Sequence, residues 1–180
     1  MGSRLWKSHS FELLCIIPTK AMSTINILQR IQAMLDSAGV NYRPIHHEKV
    51  YTSEDAARVR GEPLSIGGKA LIIKVGEGFQ LFVLSASLRL DSKAVSNKFA
   101  TRRVRFASKP ELMDLTGLVP GSIPPFGEPI LRLQLNVDPS TLANEHIAFN
   151  AGSLTDSIIM QTSDYHKLAG GTVFPFAEIS

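Results

Sequence analysis

A chain of 180 residues, 44% apolar and 19% charged with a net charge of +3, has the length of one domain and the composition of an ordinary soluble globular fold. Its single cysteine, Cys15, excludes an internal disulfide framework and any multi-cysteine metal site, and sets a reducing, cytoplasmic compartment as the expected location. The apolar run from Phe11 to Pro18 is interrupted by Glu12, is far too short to span a bilayer, and lacks the longer core and small-residue cleavage site of a secretory signal.

Met22 stands directly before a helix start, so residues 1–21 read as an N-terminal extension or an upstream-start artefact and residues 22–180 as the domain. Ile25, Leu28, Ile31, Met34 and Leu35 recur at three- and four-residue spacing, which predicts an amphipathic helix over Ser23–Ala38, capped by Ser23 or Thr24 and followed by Gly39. Val40–His46 reads as a strand, and the capping box Thr52-Ser53-Glu54-Asp55 opens a short helix through Arg60 that Gly61 ends. The β-rich runs Lys69–Val75 and Phe79–Ser85 flank Gly76-Glu77-Gly78 and predict a hairpin. Asp91 caps a helix through Phe99, Val104–Ala107 is a short strand, and Ser108-Lys109-Pro110-Glu111 is a second capping box for a helix stopping at Gly117. Ile130–Val137 alternates apolar with polar residues over most of its length, the pattern of a half-buried strand. Ile147–Phe149 and Ser157–Met160 are expected to pair across the Asn150-Ala151-Gly152 loop, and Thr162–Ala169 is a last helix. Short helices among hairpin-linked strands predict an α/β chain of the α+β type: a mixed, largely antiparallel sheet or partly closed barrel with helices around it, without the regular alternation of a doubly wound fold.

Three glycine-rich stretches carry the chemistry. In Gly67-Gly68-Lys69 a lysine opens an apolar strand after two residues that offer no Cβ to obstruct a ligand; the same lysine could be a solvated strand-end gatekeeper. From Gly121 to Gly127, Pro124 and Pro125 fix φ and donate nothing, while Gly121, Ser122, Ile123, Phe126 and Gly127 keep amide hydrogens that a rigid loop can aim at an oxyanion, unless the loop is only a structural turn. Asn150, Gly152 and Ser153 form a further turn, with Asp156 nearby as a carboxylate for a substrate amine. No nucleophile elbow, no two-histidine helix and no phosphate or dinucleotide glycine loop occurs, so triad, metal, phosphoryl-transfer and hydride-transfer chemistries have no support. From Ser92 to Pro110 the chain carries Lys93, Lys98, Arg102, Arg103, Arg105 and Lys109 with no acidic residue, which reads either as a solvated face or as a phosphate-binding patch.

The succession Gly-Gly-Lys-Ala-Leu, Leu-Thr-Gly, Gly-Ser-Ile-Pro-Pro-Phe-Gly and Ile-Ala-Phe-Asn-Ala-Gly resembles the YbaK/prolyl-tRNA synthetase-associated editing-domain family from about Ser23 to the C-terminus. The resemblance implies the editing-domain fold and hydrolysis of amino acids wrongly attached to tRNA. The wording Ile-Pro-Pro-Phe and Phe-Asn-Ala-Gly is similar to the YeaK-like branch, which implies small or hydroxylated amino acids such as serine or threonine. By motif, Lys69 becomes the functional lysine that grips the terminal adenosine or its phosphate, and Gly121 the amide that orients the ester carbonyl. Ser122, Ile123, Phe126, Asn150, Gly152 and Asp156 become pocket candidates, with Ser157 as the alternative to Asp156 in the acidic position. Where the commoner family loop has a serine, this chain has Pro124, so any role of that hydroxyl is absent.

An aminoacyl ester is already activated, so positioning, oxyanion stabilisation and admission of water suffice to cleave it. The resulting reading is a cytoplasmic deacylase acting in trans on mischarged tRNA, with no metal or organic cofactor. The tRNA acceptor end is the partner, with Arg102, Arg103 and Arg105 as phosphate contacts. A synthetase is a further candidate partner, whereas DNA and membrane are not expected. The alternative is a non-catalytic module that binds a nucleotide, an aminoacyl-adenosine or a synthetase.

Overall fold

Side-chain caps open four of the helices in the computed structural model, which describes residues 26–179. The first helix, α1 (Ile27–Ser37), begins later than its periodicity suggested, because Asn26 closes a reciprocal box with Gln29 over 2.9 and 3.1 Å. The Ser23 and Thr24 caps and the 1–21 extension lie outside the described residues. Strand β1 (Tyr42–His46) follows, then α2 (Ser53–Arg60), capped by Thr52 and ended by Gly61 at φ 68°. The predicted hairpin is β2 (Gly68–Val75) with β3 (Gly78–Ser85), paired in register from Gly68 with Ser85 to Val75 with Gly78. After β4 (Leu88–Leu90) come α3 (Ser92–Lys98), capped by Asp91, β5 (Val104–Phe106), and α4 (Lys109–Thr116) with its Ser108–Glu111 box. The chain ends with β6 (Leu135–Val137), the antiparallel pair β7 (His146–Asn150) and β8 (Asp156–Gln161), α5 (Thr162–Ala169), β9 (Thr172–Val173) and β10 (Ala177–Ile179).

The strands form a mixed five-stranded sheet in the order β5-β2-β3-β6-β9, a three-stranded antiparallel sheet β1-β8-β7 and a two-stranded β10-β4 ribbon. These sheets stay open, and a parallel bridge between Gly67 and Ala148 joins the start of β2 to β7. Strand β3 is central and buried on both faces, which is why its sequence is a continuous apolar run. Leu81 and Val83 enter the core shared with α1 and α5, whereas Phe82 and Leu84 enter a second core with Phe174 and Phe176. There the Phe82 ring meets Phe176 edge-on at 5.1 Å, a geometry the ring quadrupole favours.

The strand expected over Ile130–Val137 shrinks to Leu135–Val137. Ile130 and Leu131 are consecutive yet both buried, and both amides donate to the Gly127 carbonyl at 2.9 Å, which coils the backbone and breaks a period of two. Strands β4, β9 and β10, at two or three residues each, are too short to leave a periodic signal.

Behind the proline loop, the fully buried Tyr165 donates its hydroxyl to the Pro125 carbonyl at 2.9 Å, and burial pushes the phenol well above its usual range. Tyr165→Phe is expected to cost about 1–3 kcal/mol, because it strands a buried carbonyl without opening a cavity. Urea unfolding checks this, and an unchanged midpoint would remove the anchor.

Candidate active site

The Lys69 end of β2, one side of α2 from its Thr52 cap to Arg60, the turn preceding the proline loop and the end of β7 line a cavity of about 90 Å³. Tyr51, Arg60, Lys69, Gly121, Ile123 and Asn150 contribute to its wall. That volume is far below the roughly 300–1,000 Å³ that encloses a drug-sized ligand, so the cavity suits the end group of a larger molecule. Two cations face it, and its wall holds no Asp, Glu, His or Cys among the described residues. Sequence-distant Lys69 and the proline loop are thereby brought to one space.

Lys69 is half-buried, and its ammonium donates to the Leu88 carbonyl. Burial lowers its pKa, and the charge of Glu54 offsets part of the shift. The two glycines before it pack closely against neighbouring chain. A Cβ at Gly67 would stand 2.7 Å from the Ala86 Cβ, and one at Gly68 would stand 2.8 Å from Ile147 Cδ1. Both glycines therefore let neighbouring chain approach the start of β2, and both also line the cavity.

Val119-Pro120-Gly121-Ser122 is a β-turn of the type II kind. The Ser122 amide donates to the Val119 carbonyl at 3.1 Å, proline fills the second position, and Gly121 takes φ 87° in the third. The Pro120-Gly121 dipeptide was the sequence signal for this turn, overlooked beside the more conspicuous Pro124-Pro125. The amides of Gly121 and Ile123 meet no acceptor among the described residues, leaving two donors on cavity-lining residues. The Asn150 Nδ2 donates to the Gly121 carbonyl at 2.7 Å.

Other sequence candidates lie away from the wall. Ser122 is buried, and its hydroxyl donates to the Val119 carbonyl at 2.8 Å, which braces the turn. Phe126 is a core ring, edge-on to Phe149 and Tyr165 at 5.4 Å each. Gly152 packs under α1, where a Cβ would stand 2.6 Å from Ile27 Cγ2. Asp156 pairs across the sheet with His46 at 2.8 Å; burial alone would raise its pKa, but hydrogen bonds from His46, Ser153 and Thr155 outweigh that and hold it low. Strand alternation sends the next residue, Ser157, to the opposite face, toward Asn150 and Arg60.

Arg60 carried no sequence signal beyond a last-turn cation, because its partners are 90 and 97 residues away. Its Nη2 donates to Asn150 Oδ1 at 2.6 Å and its Nε to Ser157 Oγ at 2.9 Å, and burial brings its pKa down to about 10.

The basic run lies at the other end of β2, where Val104 pairs with Val75 and Arg105 with Lys74. Seven residue steps of about 3.3 Å separate that end from Gly68, roughly 20 Å. Glu111 grips Arg105 at 2.7 and 2.8 Å and Glu77 pairs with Arg103, whereas Arg102 makes no ion pair among the described residues. No helix of the described residues is long and apolar enough to cross a membrane.

The family model for the aminoacyl-tRNA editing domain matches residues 47–168. The Multifunctional Ser/Thr-tRNA deacylase ProXp-y of Escherichia coli (strain K12) is 38% identical over 147 residues, covering 78% of this chain and 87% of that protein. The Prolyl-tRNA editing protein ProX of Acetoanaerobium sticklandii is 25% identical over 158 residues, covering 84% of this chain and 96% of its own. A crystal structure provisionally described as a trans-editing enzyme for prolyl tRNA synthetase superposes with a TM-score of 0.72 at 23% identity, covering 87% of this chain and 99% of the other.

Proposed function

The chain belongs to the aminoacyl-tRNA editing domain family, and from that premise we propose that it acts in trans as an aminoacyl-tRNA deacylase, hydrolysing the ester of mischarged tRNA to free amino acid and tRNA. The observation that carries this reading is that Lys69 lines one small cavity together with Gly121 and Ile123, whose amides are uncommitted among the described residues. Water adds to the ester carbonyl carbon, and negative charge develops on the carbonyl oxygen. The bond to the ribose oxygen then breaks, and that oxygen takes up a proton. Amides fixed before the reaction stabilise the developing charge without reorganising. Lys69 holds the terminal adenosine or its phosphate and so sets the ester against those donors.

The wall offers no carboxylate or imidazole as general base among the described residues. The Thr52 hydroxyl that borders it is committed to capping: it accepts from the Asp55 amide at 3.0 Å and donates to Asp55 Oδ2 at 2.9 Å. In line with the family resemblance, proton transfer is proposed to run through the substrate itself, by the neighbouring ribose hydroxyl or a hydroxyl on the amino acid. The small volume and the name of the Escherichia coli relative together favour serine or threonine as the amino acid removed. Arg102, with Arg103 and Arg105 once released from their acidic partners, is proposed to meet acceptor-stem phosphates some 20 Å from the ester, a separation a duplex stem spans. The name of the prolyl-tRNA editing relative suggests a synthetase as a further partner.

A panel of tRNAs mischarged with serine, threonine, alanine or cysteine tests the reading. Release of serine or threonine well above the spontaneous rate is expected. Tight binding with no release from any member would instead establish the non-catalytic binding module.

A further inference from the structure

Arg60 poses a problem that stability alone does not solve. A guanidinium has five N–H donors and no acceptor, and burying one without a counter-ion is unfavourable. Arg60 is nonetheless half-buried, forms no ion pair among the described residues, and spends its hydrogen bonds on two neutral side chains, Asn150 and Ser157. What it secures is the orientation of an amide. Asn150 Oδ1 accepts from Arg60 Nη2 at 2.6 Å and from the Ser157 hydroxyl at 3.0 Å, so that end of the amide is fixed as the acceptor. The Nδ2 end must then face the other way, where it donates to the Gly121 carbonyl at 2.7 Å. The opposite side of the same turn is tied by Ser122 Oγ to both the amide and the carbonyl of Val119, at 3.2 and 2.8 Å. A continuous connection therefore runs from the last residue of α2 through Asn150 to the turn that presents the Gly121 amide.

We propose that Arg60 is a positioning residue of the site: it locks the Asn150 amide and, through it, the type II turn whose Gly121 N–H faces the reacting ester. Lysine cannot replace it, since an ammonium is a point charge and the planar fork reaches Ser157 and Asn150 together. The kinetic consequence rests on the deacylase reading, whereas the structural consequence is present in the free protein.

Two measurements test it. In substrate-free protein, the amide resonance of Gly121 and the side-chain amide of Asn150 are followed in wild type, Arg60→Met, Arg60→Lys and Asn150→Ala. Arg60→Met and Asn150→Ala should move the Gly121 resonance in the same direction, and the double variant should move it no further. With a mischarged tRNA, Arg60→Met should lower kcat by about 10–100-fold while KM stays within about twofold, because a displaced donor acts in the transition state. Arg60→Lys should recover less than a third of wild-type kcat, and added guanidinium ion should restore part of the rate of Arg60→Ala. An unmoved Gly121 resonance overturns the proposal whether or not the protein deacylates tRNA. So does a rise in KM at unchanged kcat, which would make Arg60 a direct contact to the tRNA. Should Arg60→Met not fold, the same readouts on Arg60→Lys decide, since it keeps the charge and loses the fork.

Discussion

Lys69→Met is expected to lower kcat/KM for deacylation by at least about 100-fold while leaving the folded state nearly as stable as wild type. The kinetic estimate follows from what one preorganised charged or hydrogen-bonding group contributes, about 10²–10³. The stability estimate follows from position: Lys69 is only half-buried, its ammonium is held by a single carbonyl, that of Leu88, and methionine preserves the stem that packs along β2. The cation, rather than the side-chain volume, is what the substitution removes. A pH profile gives the same conclusion independently. Burial lowers the Lys69 pKa, so the ammonium loses its proton at a pH below the usual lysine value of about 10.4. Raising pH removes the charge, and the enzyme-catalysed rate above background should therefore decline on the alkaline side, starting earlier than an exposed lysine would dictate. Lys69→Met should lack that limb altogether. Wild-type rates in Lys69→Met, or a flat alkaline profile in wild type, would exclude the ammonium from the reaction.

The parts of this fold that the sequence made legible are those decided within four or five residues. Thr52, Asp91 and Ser108 each cap the helix they were expected to cap, and Gly76-Glu77-Gly78 joins the hairpin as expected, because caps and turns satisfy their own backbone locally. Ile130 and Leu131 misled because an alternating sequence is compatible with a strand yet is overridden when the Gly127 carbonyl captures both amides. The site divides in the same way. Lys69 and Gly121 stood out as a lysine at a strand end and a glycine in a rigid loop, and both line the cavity. Phe126 was chosen for its place in the motif, and its ring fills the core, where it packs edge-on against Phe149 and Tyr165. Arg60 was invisible because nothing within its own helix distinguishes a last-turn arginine that faces solvent from one that reaches Asn150. Only the pairing of β7 with β8, and their docking beside α2, brings those groups together.

Gly121→Ala should separate the geometry of the turn from the stability of the fold. A Cβ there would stand 3.3 Å from Leu154 Cδ2 and 3.8 Å from the Tyr51 carbonyl oxygen, contacts that small side-chain shifts accommodate. The penalty lies instead in the backbone, since φ 87° disfavours any L-residue with a Cβ by roughly 1–2 kcal/mol. A turn with proline second and alanine third relieves that strain by adopting type I geometry, in which φ of the third residue is near −90°. The change flips the Pro120–Gly121 peptide, and that peptide carries the amide proposed to face the ester. The fold should therefore survive with a midpoint lowered by a few degrees, while kcat drops by about 100-fold as the donor turns away. Gly67→Ala supplies the contrast in stability: its Cβ would meet Ala86 Cβ at 2.7 Å and the Leu64 carbonyl at 3.1 Å, so the midpoint should fall further than in Gly121→Ala. Thermal melts and single-turnover deacylation on the two variants distinguish these outcomes. Wild-type kcat in Gly121→Ala would mean that the left-handed turn is dispensable and that the oxyanion donors lie elsewhere on the cavity wall.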